Sequence, residues 1–257
     1  MGGSELILTG ERTLPGIETE NYWFRRHEAA YLAVAARLRG ARRVLEAGVG
    51  EGYGAALLAE AGADVVGLDY DAATTAHVAA AYPQMGVVRG NVVRLPFRAE
   101  SFDAVVSMQV VEHLWDQPGY VAECARVLVP GGTLVISTPN RLTFSPGHNP
   151  GDKPVNPFHT RELSHAELAV LVSEDPRRLE VTARLGLNAG PGLRAADDEC
   201  RRRHGVDLVG AQLAAPPEEW PSDVRAAVAG LAAADFTVTD ADVDRSLDLI
   251  LIARRDC

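Results

Sequence analysis

The stretch VLEAGVGEGYG, Val44 to Gly54, decides the fold, because a short apolar run leads there into closely spaced glycines. The apolar run is typical of a buried strand, and the AALLAEAG that follows has the composition of a helix. Glycines between a strand and a helix let a ligand approach the backbone closely. A dinucleotide-binding turn would have its third glycine at position 53, but that residue is Tyr53. The sequence therefore predicts a ligand-binding turn of another kind.

Length and charge limit the classes of function. The chain has 257 residues, which suits one elaborated domain, and its net charge is -10 with Lys153 as its lysine. This negative net charge argues against nucleic acid as a partner. No segment approaches the ~20 apolar residues of a membrane span, and the first residues carry no basic leader. We therefore expect a cytoplasmic protein without a membrane span.

Strand-like and helix-like segments alternate along the first half of the chain. The predicted strands cover 43–47, 64–69, 86–90, 103–108 and 133–137, and the predicted helices cover about 53–61, 72–82 and 117–128. Such alternation indicates right-handed crossovers and a parallel sheet with helices on both faces. LEVTARLGL and SLDLILIAR are expected to add an antiparallel pair. The prediction is an α/β fold with a seven-stranded, mostly parallel sheet that ends in an antiparallel hairpin.

Two irregular segments interrupt this pattern. Residues 139–160 are rich in Pro, Gly and Asn, and a loop of this length is typically a functional lid or disordered. Residues 189–234 contain helical pieces near 194–203 and 222–233 and are expected to form an insertion. We predict an N-terminal segment with a covering helix over 1–40 and one domain over 41–257, which carries both irregular segments.

Candidate ligand-binding residues follow the strands, because ligands bind beyond the C-terminal ends of the strands in an open parallel sheet. Glu46, Gly48 and Gly50 follow the first strand, and Asp69 ends the second. A carboxylate at Asp69 can accept hydrogen bonds from both hydroxyls of a ribose, and Tyr70 beside it can cover adenine. The alternatives are that the glycines only form a tight turn and that Asp69 only caps the next helix.

Two further strand ends complete the predicted nucleoside pocket. Asn91 and its neighbour Val92 follow the third strand, where an amide suits the edge of adenine. Gln109 ends the fourth strand, below the expected reaction centre. Four strand ends with suitable residues are stronger evidence than any one motif.

These motifs together resemble a known family. The pattern E-x-G-x-G-x-G, with GNVVRLPF, FDAVVSMQVVEHLWD and ARVLVPGGTLVISTPN, is similar to the successive motifs of class I S-adenosylmethionine-dependent methyltransferases. The likeness covers residues 42–140 and implies a Rossmann-like fold with S-adenosylmethionine as cofactor. The family usually has Asp where this chain has Asn91. Two rivals lie outside this family: a nicotinamide-dependent oxidoreductase, which Tyr53 opposes, and a non-catalytic binding module that retains the nucleoside pocket.

QVVEHLWD, Gln109 to Asp116, holds the candidate catalytic residues. Transfer of a methyl group to an alcohol requires loss of the hydroxyl proton, and His113 is a suitable general base. Glu112 is expected to orient it, or both residues hold a divalent metal such as Mg²⁺. The segment resembles ubiquinone-type O-methyltransferases, which have E-x-x-E-H here, but Gln109 replaces the first Glu and weakens the metal hypothesis. Alternatively, Glu112 and His113 only begin a helix.

His159 is a further catalytic candidate, in the segment NPFHTREL. The loop before it is expected to fold over the acceptor and exclude water. The alternative is that His159 only contacts a helix N-terminus together with Thr160.

The N-terminal segment, Glu11 to Tyr31, is expected to cover the sheet with a helix that begins near Glu20. Tyr22 and Arg26 would share one helix face, and Trp23, His27 and Ala30 another. We predict that Tyr22 and Arg26 face the carboxylate of the cofactor.

Nearly the whole chain resembles a narrower group, the actinobacterial sugar O-methyltransferases of polymethylated polysaccharide biosynthesis. The segments that carry this likeness include EHLWD, STPNRLTFSPG, NPFHTREL and DRSLDLILIA. The resemblance implies methylation of a hydroxyl on a mannose or glucose oligosaccharide. The alternative acceptor is a small phenolic or quinone-type metabolite. Residues 189–230 are expected to line the acceptor cleft or to form a homodimer contact.

Overall fold

The centre of the fold is a sheet of eight strands in the computed structural model, which describes residues 13–257. The strands are β1 Arg43–Ala47, β2 Asp64–Asp69, β3 Gly86–Arg89, β4 Phe102–Met108, β5 Leu128–Pro139, β6 Leu179–Ala189, β7 Phe236–Thr239 and β8 Asp248–Arg255. Their order is β3-β2-β1-β4-β5-β8-β6-β7. The first five strands in this order are parallel, whereas β8 runs antiparallel to both β5 and β6. The predicted Rossmann-like α/β fold with an antiparallel C-terminal pair is confirmed.

Helices cover both faces of the sheet, as the alternating pattern predicts. They are α1 Asn21–Arg37, α2 Tyr53–Glu60, α3 Ala72–Ala81, α4 Gln117–Val127, α5 Arg141–Phe144, α6 His165–Ser173, α7 Pro191–His204, α8 Leu208–Ala214 and α9 Ser222–Gly230. Buried side chains of α1, α2, α3 and α7 to α9 form one core cluster, and those of α4 and α6 form another. Within the described residues, no helix is long and apolar enough to cross a bilayer.

The predicted count of seven strands is wrong by one. The additional strand, β7, is only four residues long and pairs with the end of β6, Gly186 to Ala189, at the edge of the sheet. So short a strand carries little periodic signal. The insertion also contains α8, which the sequence did not predict, beside the two helical pieces that it did. The fifth strand begins at Leu128 rather than 133, because the chain passes from α4 into the sheet directly.

The insertion packs on the same face of the sheet as α1. Leu193 of α7, Leu208 of α8 and Val228 of α9 are all buried in the core cluster that contains α1. The Asn21 side chain, at the start of α1, donates hydrogen bonds to the carbonyls of Val228, Ala229 and Leu231 at 2.8 to 3.1 Å. The insertion therefore packs against α1 and fixes its beginning through these hydrogen bonds. The predicted division at residue 40 stays a prediction, and residues 1–12 of that segment, including the expectation about a leader, lie outside the described residues.

Segment 139–160, predicted to be an irregular lid, contains only the short helix α5. The Asn140 side chain caps the N-terminus of α5 by accepting the Leu142 N–H. It also donates to carbonyls between residues 243 and 246. Arg141 forms an ion pair with Glu167 of α6 and donates to the carbonyl of His148. The segment is therefore attached at its beginning to the turn that precedes β8 and to α6.

Candidate active site

A cavity of about 700 Å³ lies at the C-terminal ends of β1, β2 and β4, where the sequence placed the ligand. Of the predicted site residues, it is lined by Gly48, Gly50, Asp69, Tyr70, Asn91, Val92, Gln109 and His113. Strand order reverses at this point of the sheet, between β1 and β4, and such points are the usual ligand sites of open α/β folds.

The glycine turn between β1 and α2 shapes the floor of the cavity. Gly48 has φ +91°, and its N–H donates to the Leu68 carbonyl at 2.8 Å, which fixes the turn against β2. A Cβ atom at Gly48 would collide with the side chain of Val110. Both the backbone conformation and the space therefore require glycine. Gly50 donates its N–H to the Asp69 carboxylate at 3.1 Å, which holds that side chain at the cavity.

Asp69 is not a helix cap. The side chain of Asp71 caps α3 by accepting the N–H groups of Ala73 and Thr74. Asp69 is half-buried and accepts from the N–H groups of Gly50 and Asp71, so its carboxylate is oriented by the backbone. A carboxylate has about four acceptor sites, and two backbone donors leave capacity for hydroxyl groups of a ligand.

Glu46 lies behind the turn rather than in the lining of the cavity. It is fully buried and accepts a hydrogen bond from the Tyr31 hydroxyl. Among the described residues, its other carboxylate oxygen has no hydrogen-bond partner. Burial raises the pKa of Glu46 to about 8, so the carboxyl group holds a proton at neutral pH. Tyr31, which does line the cavity, connects Glu46 to the ligand space.

Gln109 and His113 form the end of the cavity beyond β4. Gln109 has φ +56°, an uncommon conformation for a residue other than glycine, and its side-chain amide donates to the Ser137 hydroxyl at 3.0 Å. His113 ends a short 3₁₀ helix, Val111–His113, and is half-buried. Its Nδ1 lies 3.2 Å from the carbonyl oxygen of Phe158, which also lines the cavity.

Glu112 and His159 lie close to His113 but outside the cavity lining. The His113 and His159 rings meet edge to face at a centroid distance of 5.0 Å. Glu112 is buried and accepts the Thr138 hydroxyl at 2.9 Å. Burial raises the pKa of Glu112 to about 7. The structure therefore brings the three catalytic candidates together, with only His113 facing the ligand space.

One ligand atom each of Glu112, His113 and His159 lie within 4.8 Å of one another, as a metal site would require. This donor set does not fit Mg²⁺, which prefers oxygen ligands in octahedral geometry. In addition, Nδ1 of His159 is 2.6 Å from the carboxylate of Glu162, and Nε2 is 3.0 Å from the amide nitrogen of Asn156. Metal binding would have to displace one of these partners.

The prediction that Tyr22 and Arg26 face the cofactor is not supported by their positions. Arg26 is 3% exposed and donates two hydrogen bonds to the Asp248 carboxylate, while its guanidinium lies over the Phe144 ring. Tyr22 is buried against Trp23 and Phe236. An arginine is expected to pair with a buried acid when one is within reach, and sequence spacing gives no sign of a partner 222 residues away.

The other face of α1 lines the cavity instead. His27, Ala30 and Tyr31 are lining residues, and so are Thr13 and Tyr53. The Tyr53 hydroxyl is 3.0 Å from the Thr13 hydroxyl and 3.3 Å from Nδ1 of His27. Sequence reasoning missed this polar group, although the helical spacing of His27 and Ala30 and the position of Tyr53 in the glycine turn were available signals.

Comparisons with known proteins agree with this geometry. The family model described as a methyltransferase domain matches residues 45–136. A probable S-adenosylmethionine-dependent methyltransferase of Mycolicibacterium smegmatis is 51% identical over 257 residues, which cover 98% of this chain and 96% of that protein. A ubiquinone biosynthesis O-methyltransferase of Sinorhizobium medicae is 34% identical over 113 residues, which cover 38% of this chain and 42% of that protein.

A solved structure from Thermotoga maritima, described as a SAM-dependent methyltransferase and possible histamine N-methyltransferase, has the same fold. Its TM-score is 0.58 at 19% identity, over 91% of this chain and 93% of that chain. Three findings agree: the cavity lies where strand order reverses, the glycine turn has Asp69 beside it, and the M. smegmatis protein is similar over nearly the full length. This chain therefore belongs to the class I S-adenosylmethionine-dependent methyltransferases.

Proposed function

We propose that this protein is an O-methyltransferase that methylates a hydroxyl group of a sugar or oligosaccharide of the mannose or glucose type, in polymethylated polysaccharide biosynthesis. The observation that carries the O-methylation is the position of His113, whose imidazole lines the cavity beyond β4. The sugar acceptor rests on the resemblance of nearly the whole chain to sugar O-methyltransferases.

The cofactor end of the cavity fits S-adenosylmethionine. The glycine turn brings the backbone of Gly48 to the cavity lining, and Asp69 offers acceptor oxygens for ribose hydroxyls. Asn91 and Val92 lie where adenine is expected. Thr13, His27 and Tyr53 line the α1 side of the cavity, and we assign to this polar group the contact with the cofactor's carboxylate that the sequence predicts for Tyr22 and Arg26. The bound cofactor supplies a methyl group on a positively charged sulfur.

His113 has the geometry of a general base. A carbonyl oxygen only accepts hydrogen bonds, so the contact with the Phe158 carbonyl requires the proton on Nδ1. In the neutral ring, Nε2 then carries the lone pair. A hydroxyl held against Nε2 would lose its O–H proton to this nitrogen, and the bound cofactor would supply the methyl group that replaces the proton on the oxygen.

Two exposed aromatic residues, one close to His113 in sequence and one whose carbonyl contacts it, favour a sugar as the acceptor. Trp115, two residues after His113, is 90% exposed, although tryptophan is usually highly buried. Phe158, whose carbonyl contacts His113, is 58% exposed. Flat aromatic faces can pack on the C–H face of a pyranose ring, and a neutral acceptor suits a protein with a net charge of -10.

A small phenolic or quinone-type acceptor is the second candidate. Met108, Val110 and Leu114 give the cavity around His113 an apolar lining, which suits an aromatic ring. The partial likeness to a ubiquinone biosynthesis O-methyltransferase points the same way. Both candidates use the same base.

The deciding experiment incubates the protein with S-adenosylmethionine and two acceptor panels, one of short mannose and glucose oligosaccharides and one of catechols, and reads products by mass spectrometry. We expect a gain of one methyl group on one sugar series. Asp69→Ala serves as the control with impaired cofactor binding. Transfer to catechols alone would refute the sugar proposal and leave O-methylation standing.

A parallel series with Mg²⁺ and with chelator tests the metal hypothesis. Because His113 can act as a base by itself, we expect equal rates in the two series.

A cytoplasmic location and a homodimer are further proposals. Leu213 and Val206 of the insertion are 74% and 41% exposed, which supports a contact there, and light scattering on the purified protein tests it.

A further inference from the structure

Glu162 is a buried acid that the proposed reaction does not use. Its side chain is 2% exposed, and buried carboxylates are rare unless they are paired. One oxygen is 2.6 Å from Nδ1 of His159, and the other accepts the hydroxyl of Ser145 at 2.7 Å. Ser145 in turn accepts the N–H of Val155 at 3.1 Å. Glu162 therefore joins the beginning and the end of segment 139–160.

The side chain of Asn156 fixes the other edge of the His159 ring. Its amide oxygen accepts the N–H of Phe158 at 3.0 Å, so its amide nitrogen faces Nε2 of His159, also at 3.0 Å. An amide nitrogen donates, and Nε2 of the neutral ring accepts. The proton of the neutral ring is then on Nδ1 and is donated to Glu162. The carboxylate and the amide together define one orientation of His159.

These hydrogen bonds reach the base, His113, through the backbone of Phe158. Phe158 lies between Asn156 and His159, and its carbonyl is the group that contacts Nδ1 of His113. From the far side, Thr160 donates its N–H and hydroxyl to the Glu112 carbonyl at 2.8 and 2.9 Å. The Phe158 carbonyl is thus held between two anchored residues, and the His159 ring packs edge-on against His113.

We propose that Glu162 is a positioning residue: through His159 and Asn156 it holds the Phe158 carbonyl against Nδ1 of His113 and so keeps the lone pair of the base on Nε2, toward the acceptor. This role rests on the proposed function of His113. It assigns His159 to orientation rather than to proton transfer. It also explains why a carboxylate is buried beside a neutral hydroxyl and a histidine, where a structural anchor could be apolar.

The test measures the tautomer of His113 directly. Nitrogen-15 spectra of imidazole-labelled full-length protein distinguish a protonated Nδ1 from a protonated Nε2, and His113→Gln identifies the His113 signals by their loss. We expect protonated Nδ1 in the wild type and a mixture in Glu162→Gln. We also expect kcat to fall by about tenfold or more, as for other carboxylates that orient a functional histidine, with the Kd for S-adenosylmethionine nearly unchanged.

Asp244→Asn is the matched control, because Asp244 holds Nδ1 of His165 at the same 2.6 Å and lies away from the cavity lining. This control should leave both the His113 tautomer and kcat as in the wild type. A wild type with protonated Nε2, or a Glu162→Gln that behaves like the control, would overturn the proposal.

Should Glu162→Gln not fold, Asn156→Ala removes the bonds to Phe158 and His159 from a half-buried loop position. It should shift the tautomer in the same direction, and an unchanged tautomer would refute the role. The spectra need no acceptor, so they report on Glu162 even if neither sugars nor catechols are methylated.

Discussion

The two ends of the cavity are built in different ways. The proposed cofactor end consists of a glycine turn and strand ends whose contacts join neighbouring strands, such as Gly50 to Asp69, 19 residues apart. The acceptor end depends on side chains from distant segments, such as His113 with Phe158, 45 residues apart. One end is therefore fixed by the backbone geometry of neighbouring strands, whereas the other is set by the irregular segment that surrounds it.

The largest expected effect separates the two ends by function. His113→Gln removes the proposed base, so kcat should fall by about 10²- to 10⁴-fold, the usual contribution of general base catalysis. The Kd for S-adenosylmethionine, measured by calorimetry, should stay within about twofold because the cofactor end is intact. His165→Gln is the control at a histidine outside the cavity lining. Loss of cofactor affinity with retained kcat would show that the two ends are not separate.

The next effect tests the ion pair between α1 and β8. Asp248→Asn leaves the buried guanidinium of Arg26 without its charged partner, so the free energy of unfolding should drop by about 3–5 kcal/mol in urea. Asp244→Asn breaks a pair whose acid is 64% exposed and should cost at most about 1 kcal/mol. Equal losses in the two variants would mean that burial does not make the Arg26 pair important.

Glu46 predicts a dependence of stability on pH at the cofactor end. Because its pKa is about 8 in the folded protein and near 4.5 in the unfolded chain, the folded state binds the extra proton between these values. Stability should therefore fall as pH rises through this window. Glu46→Gln should reduce the loss between pH 6 and pH 8 by about 2 kcal/mol in urea unfolding, since its side chain does not ionise. A variant with the wild-type slope would assign the pH dependence to other groups, with Glu112 the first to test.

The smallest effect concerns the glycine turn. Gly48→Ala and Gly62→Ala both place a side chain at positive φ, but only the first collides with a neighbour, the side chain of Val110. We expect both variants to lose about 1 kcal/mol of stability from backbone strain. Only Gly48→Ala should weaken the affinity for S-adenosylmethionine, by about tenfold. Equal affinities in the two variants would show that the turn tolerates a side chain beside the ligand.

The same contrast explains what the sequence could predict. The bounds of β1 and β2 are exact, and the lining residues at the glycine turn and at the ends of β2 and β3 include Gly48, Asp69 and Asn91 as predicted, because hydrophobic runs and glycine turns are local signals. The orientation of α1 was not predicted correctly. The face with Arg26 is buried and the face with His27 lines the cavity, because Arg26 pairs with Asp248, which lies near the other end of the described chain. Glu162 was missed for another reason: its contact with Ser145 depends on how the irregular segment between them folds, which no local pattern indicates.

The attachment of α1 sets the order in which the protein can mature during synthesis. This helix supplies a wall of the cofactor cavity, yet Asn21 is bonded to residues 228–231 and Arg26 to Asp248. A nascent chain that has emerged only through β5 contains the glycine turn and Asp69 but none of these partners. Such a chain already contains the sequence motif of the family, but it cannot yet fix α1 against the cavity. The ability to bind cofactor should therefore arise only when β8 joins the sheet.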